Sequence, residues 1–210
     1  QFSDGISVVG SSPEALVKVN QKEVMVHPIA GTRKRSASPE VDKKLAEELL
    51  ADPKERAEHL MLVDLGRNDL GRICDAGSID VRELFRHEKH PGITHLVSDV
   101  EGRLKDGTTW REILAATMPP GSVSGAPKSA ALSIIEGSEG VRGPYCGTLG
   151  WIHGDRAELS VAIRTFWNEG DSTIRFGTGA GITWGSDPAA EWEETQLKAR
   201  HLISIAGGEL

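Results

Sequence analysis

The sequence predicts an α+β fold in which helices flank antiparallel sheet. Strand-like and helix-like runs are interspersed without the regular βαβ alternation that a parallel sheet requires. The strand-like runs are short and alternate apolar with polar residues. Turn and cap residues separate one run from the next. A chain of 210 residues suffices for one domain, or two small ones, with a core that needs neither disulfides nor a structural metal.

The opening reads as three strands, Ile6–Val9, Leu16–Val19 and Glu23–Val26, punctuated by Gly10-Ser11-Ser12-Pro13 and by Asn20. A basic loop, Gly31–Arg35, follows. Ser38-Pro39-Glu40 starts a helix with Pro at its first position, and Leu45, Leu49 and Leu50 form its apolar stripe. Asp52-Pro53-Lys54-Glu55 starts another with a capping-box pattern, and that helix is expected to run to about Leu65 and end near Gly66. Alternation in Ile79–Phe85 and Thr94–Val100 predicts two more strands. Trp110–Thr117 is helical until Pro119-Pro120-Gly121 stops it, and a helix over Pro127–Glu136 is closed by Gly137. Three strands follow, Thr148–His153, Leu159–Trp167 and Thr173–Thr183. Ser186-Asp187-Pro188 then caps a last helix with Trp192, Thr195, Ala199 and Ile203 on one face.

Apolar residues make up 38% and charged residues 26%, which excludes a disordered polyelectrolyte. The net charge of −7 argues against a broad nucleic-acid surface. An anionic ligand must then be met locally, by a few aimed cations, backbone amides or a bound metal. Cys74 and Cys146 are too few for a disulfide framework and fit a reducing, cytoplasmic setting. No apolar run approaches the ~20 residues that span a bilayer, so no membrane association is expected. The abrupt start at Gln1, in strand-forming sequence, predicts a fragment of a longer protein.

Several constellations bear on chemistry. Glu55 and Glu58 lie at i, i+3 and share a helix face, and Glu191 and Glu194 repeat the spacing with Lys198 four residues on. Two such pairs suit a hard cation such as Mg²⁺, which takes carboxylate oxygens; solvated helix faces, or a capping role for Glu55, account for the same spacing. Gly121–Lys128 fails the Walker pattern and leaves a Gly/Ser turn feeding a helix N-terminus, either an anion site or a plain cap. Gly177–Ile182 is no dinucleotide fingerprint, and its glycines mark a bulge or a close approach of ligand to backbone. Arg164 interrupts an apolar strand pattern and needs a partner, either a ligand carboxylate or an internal salt bridge. His95 has the same ambiguity, with a structural histidine as the default.

In order along the chain these segments resemble the chorismate-utilising enzymes. The resemblance rests on Ser11-Ser12-Pro13-Glu14, Pro28-Ile29-Ala30-Gly31-Thr32-Arg33, Glu58–Asp69, Gly121–Lys128, Ile163-Arg164-Thr165, Gly179-Ala180-Gly181-Ile182 and Glu191-x-x-Glu194-x-x-x-Lys198. It covers nearly the whole chain but only about the C-terminal half of a family member, so residues 1–210 are expected to be the C-terminal part of a larger chorismate-binding catalytic domain. The implied fold is a sandwich of antiparallel sheets with flanking helices, incomplete at its N-terminus. The implied cofactor is Mg²⁺, held by Glu58 and Glu194 with Glu55 and Glu191 reached through waters. Tyr145, Arg164 and the amides near Gly179 and Gly181 would hold the enolpyruvyl carboxylate, and Lys198 would add charge beside the metal. Glu14 would protonate the departing C4 hydroxyl. His95 joins it in the catalytic set, lining the ring with Ser122, while Thr32 belongs to the substrate-binding set.

The family members that aminate chorismate draw ammonia from a glutamine amidotransferase subunit. Many aminodeoxychorismate synthases carry a nucleophilic lysine where this chain has Ala30, which leaves direct attack by ammonia, the anthranilate synthase pattern. Against that, Gly143–Gly147, Glu158–Trp167 and Trp184–Pro188 look more like lysine-less aminodeoxychorismate synthases. The expectation is therefore amination to 4-amino-4-deoxychorismate, in the para-aminobenzoate and folate pathway. Anthranilate synthase component I is the alternative, and a catalytically incomplete binding fragment the further one.

Overall fold

The computed structural model describes residues 5–90 and 92–209. Four strands open it: β1 (Ile6–Gly10), β2 (Ala15–Asn20), β3 (Glu23–Val26) and β4 (Ile29–Lys34). Two helices follow, α1 (Pro39–Ala51) and α2 (Pro53–Gly71), then the long strands β5 (Asp80–His90) and β6 (Ile93–Arg103). Three helices come next: α3 (Trp110–Thr117), the single turn α4 (Gly121–Ser124) and α5 (Lys128–Ser138). The chain continues through β7 (Thr148–His153), β8 (Arg156–Val161), β9 (Thr165–Glu169) and β10 (Arg175–Phe176) to α6 (Pro188–Ile205).

The strands form two sheets, and every pairing between them is antiparallel, as the sequence predicts. A three-stranded sheet has the order β1-β9-β10. The seven-stranded sheet runs β4-β6-β3-β2-β8-β7, with β5 also paired to β6. Because β6 is eleven residues long, its first half takes β4 and its second half β3.

The long helix α2 packs on this sheet. His59, Leu62, Val63, Gly66 and Leu70 fall on one helical stripe. Val63 and Leu70 join Val17, Val24, Val26 and Val100 in the core, where each fully buried Val or Leu contributes about 1.5–3 kcal/mol. A Cβ on Gly66 would sit 3.1 Å from the Val26 side chain, so this glycine sets how closely helix and sheet approach. The expected helix end near Gly66 is thus wrong: the residue serves packing, and α2 continues to Gly71. His59 is fully buried with Nε2 2.6 Å from the Ser98 hydroxyl, and burial holds its pKa below the ordinary histidine value.

Other expectations are corrected as well. The basic loop at Gly31–Arg35 is mostly strand β4, whose pairing to β6 satisfies its backbone. Asp52 does cap α2, accepting from the Lys54 and Glu55 amides at 2.9 and 3.3 Å, but the Glu55 carboxylate takes Arg33 rather than closing a capping box. The helix expected to close at Gly137 runs one residue further, to Ser138. The single strand expected over Leu159–Trp167 is two strands in different sheets, separated at Arg164, whose φ is +49°. Of Thr173–Thr183 only Arg175–Phe176 is strand, and Gly177–Ile182 is irregular. Trp192, assigned to the apolar face of α6, is 65% exposed, whereas Ala199 is buried.

Candidate active site

Glu14 ends the turn before β2, where the Ser12 hydroxyl accepts from its amide at 3.2 Å. The Ser122 hydroxyl donates to its carboxylate at 2.5 Å, across 108 residues of sequence. Ser122 reaches it because α4 lies tight on α2, where a Cβ on Gly121 would come within 2.2 Å of the Leu65 side chain. Burial raises the Glu14 carboxyl from 4.5 to about 7, with the Ser122 hydrogen bond opposing it in part. A carboxylic acid near neutrality is the device for protonating a leaving hydroxyl.

The anion loop considered at Gly121–Lys128 is built differently. Its lysine does not point to a ligand: Lys128 donates to Asp69 at 2.7 Å, and the two side chains are 16% and 9% exposed. The pair ties the start of α5 to α2. Burial raises the Asp69 carboxyl while Lys128 pulls it down.

The four glutamates come from α2 and α6. Burial raises the Glu58 carboxyl, and the negative charges of Glu55, Glu191 and Glu194 push it further, against Lys54. Glu58 Oε1 lies 3.9 Å from where a Cβ on Gly181 would stand. Glu194 pairs with Lys198 at 2.7 Å, and Lys198 also donates to the Gly179 carbonyl at 3.3 Å. Glu55 accepts from Arg33 at 3.1 Å, and Arg33 reaches Asp52 at 3.0 Å. Among the described residues no group of three acidic, histidine or cysteine side chains is drawn together to metal-binding distance. The donor set still fits a hard dication: it is all carboxylate, and its like charges repel one another.

On the neighbouring strands Thr32 and His95 stand opposite in the β4–β6 register, with Thr32 Oγ1 2.9 Å from His95 Nδ1. His95 is buried, and its Nε2 has no partner among the described residues. Burial lowers its pKa, helped by the positive charges of His90 and Arg164, which favours a neutral ring. No hydrogen bond or ion pair among the described residues uses the Arg164 guanidinium. Its own carbonyl accepts from Ser11 at 3.1 Å.

Tyr145 packs against the irregular glycine segment. A Cβ on Gly177 would stand 2.3 Å from its ring, and one on Gly179 would stand 3.0 Å from its hydroxyl. Neither the Gly179 nor the Gly181 amide donates to a protein acceptor among the described residues. At Gly177 and Gly179 the close approach to the backbone is made by a side chain, Tyr145. Burial is also the main force raising the Tyr145 phenol.

Thus the structure pairs Glu14 with Ser122, Thr32 with His95, Tyr145 with Gly179, and Lys198 with Glu194, and it brings Glu58 within electrostatic reach of the other three glutamates. Sequence reading missed the Arg33 clamp on Glu55, the Lys128–Asp69 pair and a His27–Asp99 pair at 2.7 Å. The only signal for the first was an arginine in a basic run; the other two are tertiary and left none. No helix among the described residues is long and apolar enough to cross a membrane.

Comparison with known proteins identifies the family. The family model described as "chorismate binding enzyme" matches residues 1–204. The chain is 50% identical over 201 residues to anthranilate synthase component 1 of Neisseria meningitidis serogroup B, covering 95% of this chain and 41% of that protein. The same-named protein of Aquifex aeolicus is 48% identical over 202 residues, again covering 95% of this chain and 41% of the relative. In the structure of anthranilate synthase component I from Streptococcus pneumoniae TIGR4 the TM-score is 0.85 at 41% identity, covering 96% of this chain and 44% of that one. MenF, the menaquinone-specific isochorismate synthase of Escherichia coli, gives 0.86 at 27% identity, covering 95% and 46%. The chain thus spans less than half the length of these relatives. The names overturn the expectation of aminodeoxychorismate synthesis. The case for it rested on the stretches Gly143–Gly147, Glu158–Trp167 and Trp184–Pro188, and identity over nearly the whole chain outweighs them. The chain belongs to the chorismate-binding enzyme family.

Proposed function

We propose that this chain is the chorismate-binding, C-terminal part of the catalytic domain of an anthranilate synthase component I. The observation that carries this reading is identity of about half the residues, over 95% of the chain, to anthranilate synthase components. Ala30 supports it, since a position without an amine leaves ammonia itself as the nucleophile. A glutamine amidotransferase subunit is the proposed ammonia source, and the cytoplasm the proposed compartment.

Each residue then has a task. Mg²⁺, held by Glu58 and Glu194 with Glu55 and Glu191 behind them, would supply positive charge to the ring carboxylate when bound. Lys198 lies beside it through its bond to Glu194. Arg164, Tyr145 and the amides of Gly179 and Gly181 receive the enolpyruvyl carboxylate, a match of guanidinium and backbone donors to an anion. Glu14, steadied by Ser122, holds a proton at its carboxyl and gives it to the C4 hydroxyl as that group leaves as water. His95, kept neutral and oriented by Thr32, lines the ring.

The test is a product assay on the full-length parent protein with chorismate, Mg²⁺ and ammonium. Blue-fluorescent anthranilate released with pyruvate is the expected result. A non-fluorescent amino product that keeps its enolpyruvyl group would refute the reading.

A further inference from the structure

Glu14 gives up one proton per turnover and must recover it, yet its ordered partner, Ser122, has no spare proton to lose. A cavity of about 50 Å³ lies against Glu14, with Leu16, Val26, Leu62 and Leu65 as apolar wall. That is room for one or two waters at roughly 30 Å³ each. His27 lines the same cavity. Its Nδ1 lies 2.7 Å from Asp99, its side chain is only 15% exposed, and its Nε2 is buried without a partner among the described residues. Asp99 is itself held by Arg86 at 3.3 and 3.4 Å, which fixes the carboxylate that orients the ring. The other ionisable group on the wall, Asp69, is committed to Lys128. His27 alone among these groups keeps an unsatisfied ring nitrogen.

We propose that His27, oriented by Asp99, returns the proton to Glu14 through water in this cavity after each turnover. The step rests on the proposed reaction and balances as follows. The C4–O bond breaks with its electron pair, the oxygen takes the Glu14 proton and leaves as water, and Glu14 remains a carboxylate. Ammonia forms the new C–N bond, and the resulting ammonium group loses its proton to solvent. The His27 imidazolium passes its Nε2 proton through a cavity water to Glu14, and solvent reprotonates the ring. His27 touches no substrate and acts through Glu14. The raised Glu14 carboxyl suits the exchange, since an acid that titrates near neutrality regains its proton readily near neutral pH.

The experiment compares the first turnover with the steady state in the full-length protein carrying His27→Phe or His27→Gln. Below the Glu14 value of about 7, in an assay at about pH 6, most of the enzyme enters its first turnover with Glu14 already protonated. That turnover, measured with enzyme in excess over chorismate, should therefore be unchanged within about twofold in both variants. The steady-state kcat should fall about tenfold or more, the KM for chorismate should hold, and the solvent deuterium isotope effect on kcat should rise. Equal loss in first and later turnovers would mark a structural role and overturn the proposal, as would no loss in either. A second measurement needs no reaction: the His27 ring, followed by ¹⁵N NMR without substrate, should change its titration in Glu14→Gln. An unmoved His27 titration overturns the proposal even if anthranilate is made, whereas a moved titration with no anthranilate formed refutes the functional reading alone.

Discussion

Replacing Glu14 with Gln should stabilise the protein above neutral pH while abolishing its activity. The carboxyl titrates at about 7 in the fold against an ordinary value of 4.5, because burial disfavours the charged form. For an acid whose pKa rises on folding, the folded state binds the proton more tightly than the unfolded chain. Its stabilising contribution is present in full below the ordinary value and is lost as pH rises towards the folded value. A tenfold difference in proton affinity is about 1.4 kcal/mol. Wild type should therefore lose at most about 2.5 kcal/mol between about pH 5 and about pH 8 from this group alone, since residual solvent contact trims the figure. The amide of the Glu14→Gln variant carries no charge at either pH and can still accept from Ser122, so the variant lacks that loss. Urea unfolding of both proteins at the two pH values reads the difference directly. The stability gap between variant and wild type should widen in favour of the variant by about 1.5–2.5 kcal/mol on going to the higher pH. A gap that changes by less than about 0.5 kcal/mol would refute the argument that burial holds this carboxyl protonated.

Three further outcomes follow from the geometry. Glu58→Gln and Glu194→Gln should each remove Mg²⁺-dependent activity by about 10²-fold or more without unfolding the protein, because Glu58 sits among like charges that its neutral form relieves; circular dichroism and a Mg²⁺ titration of activity check this, and unchanged activity would remove the two from the metal site. Lys128→Met should destabilise by about 3–5 kcal/mol in urea, since it strands the buried Asp69 carboxylate, and Asp69→Asn in the same chain should recover part of that loss. Gly177→Ala should cost about 1–3 kcal/mol, because its Cβ would stand 2.3 Å from the Tyr145 ring, with weaker chorismate binding by calorimetry as the companion readout.

What the sequence made legible was local. The N-caps at Asp52 and Asp187, the strands at Glu23–Val26 and Thr148–His153, and the i, i+3 glutamate pairs depend on neighbours a few residues away. That the two glutamate faces meet depends on how α2 and α6 sit, which spacing does not encode; the resemblance supplied it. Strand β4 hid behind its charges, because an edge strand can keep Lys34 in water and tie Arg33 to Asp52 and Glu55 while its backbone pairs with β6. The regiochemistry was misread because three short stretches were weighed more heavily than the chain as a whole, which is half identical to an anthranilate synthase component.

The break at Arg164 shows most clearly why a local reading fails here. Val161-Ala162-Ile163-Arg164-Thr165 is apolar and β-branched, which is strand sequence by any neighbour rule. The chain nevertheless turns through the left-handed region at Arg164, φ +49°, which costs a non-glycine residue about 1–2 kcal/mol. One contact from far along the chain and one local contact hold it there. The Ser11 amide donates to the Arg164 carbonyl at 3.1 Å, and the Thr165 hydroxyl donates to Ile163 at 2.9 Å. Gly10 makes room, since a Cβ there would lie 2.5 Å from that hydroxyl. The turn passes the chain from the seven-stranded sheet to the three-stranded one and leaves an arginine at the crossing, with no protein partner for its guanidinium among the described residues. Backbone strain kept at a position with an uncommitted cation is what a ligand carboxylate would repay. The same residue that interrupts the strand pattern is therefore the one the proposed carboxylate site would use in an irregular conformation.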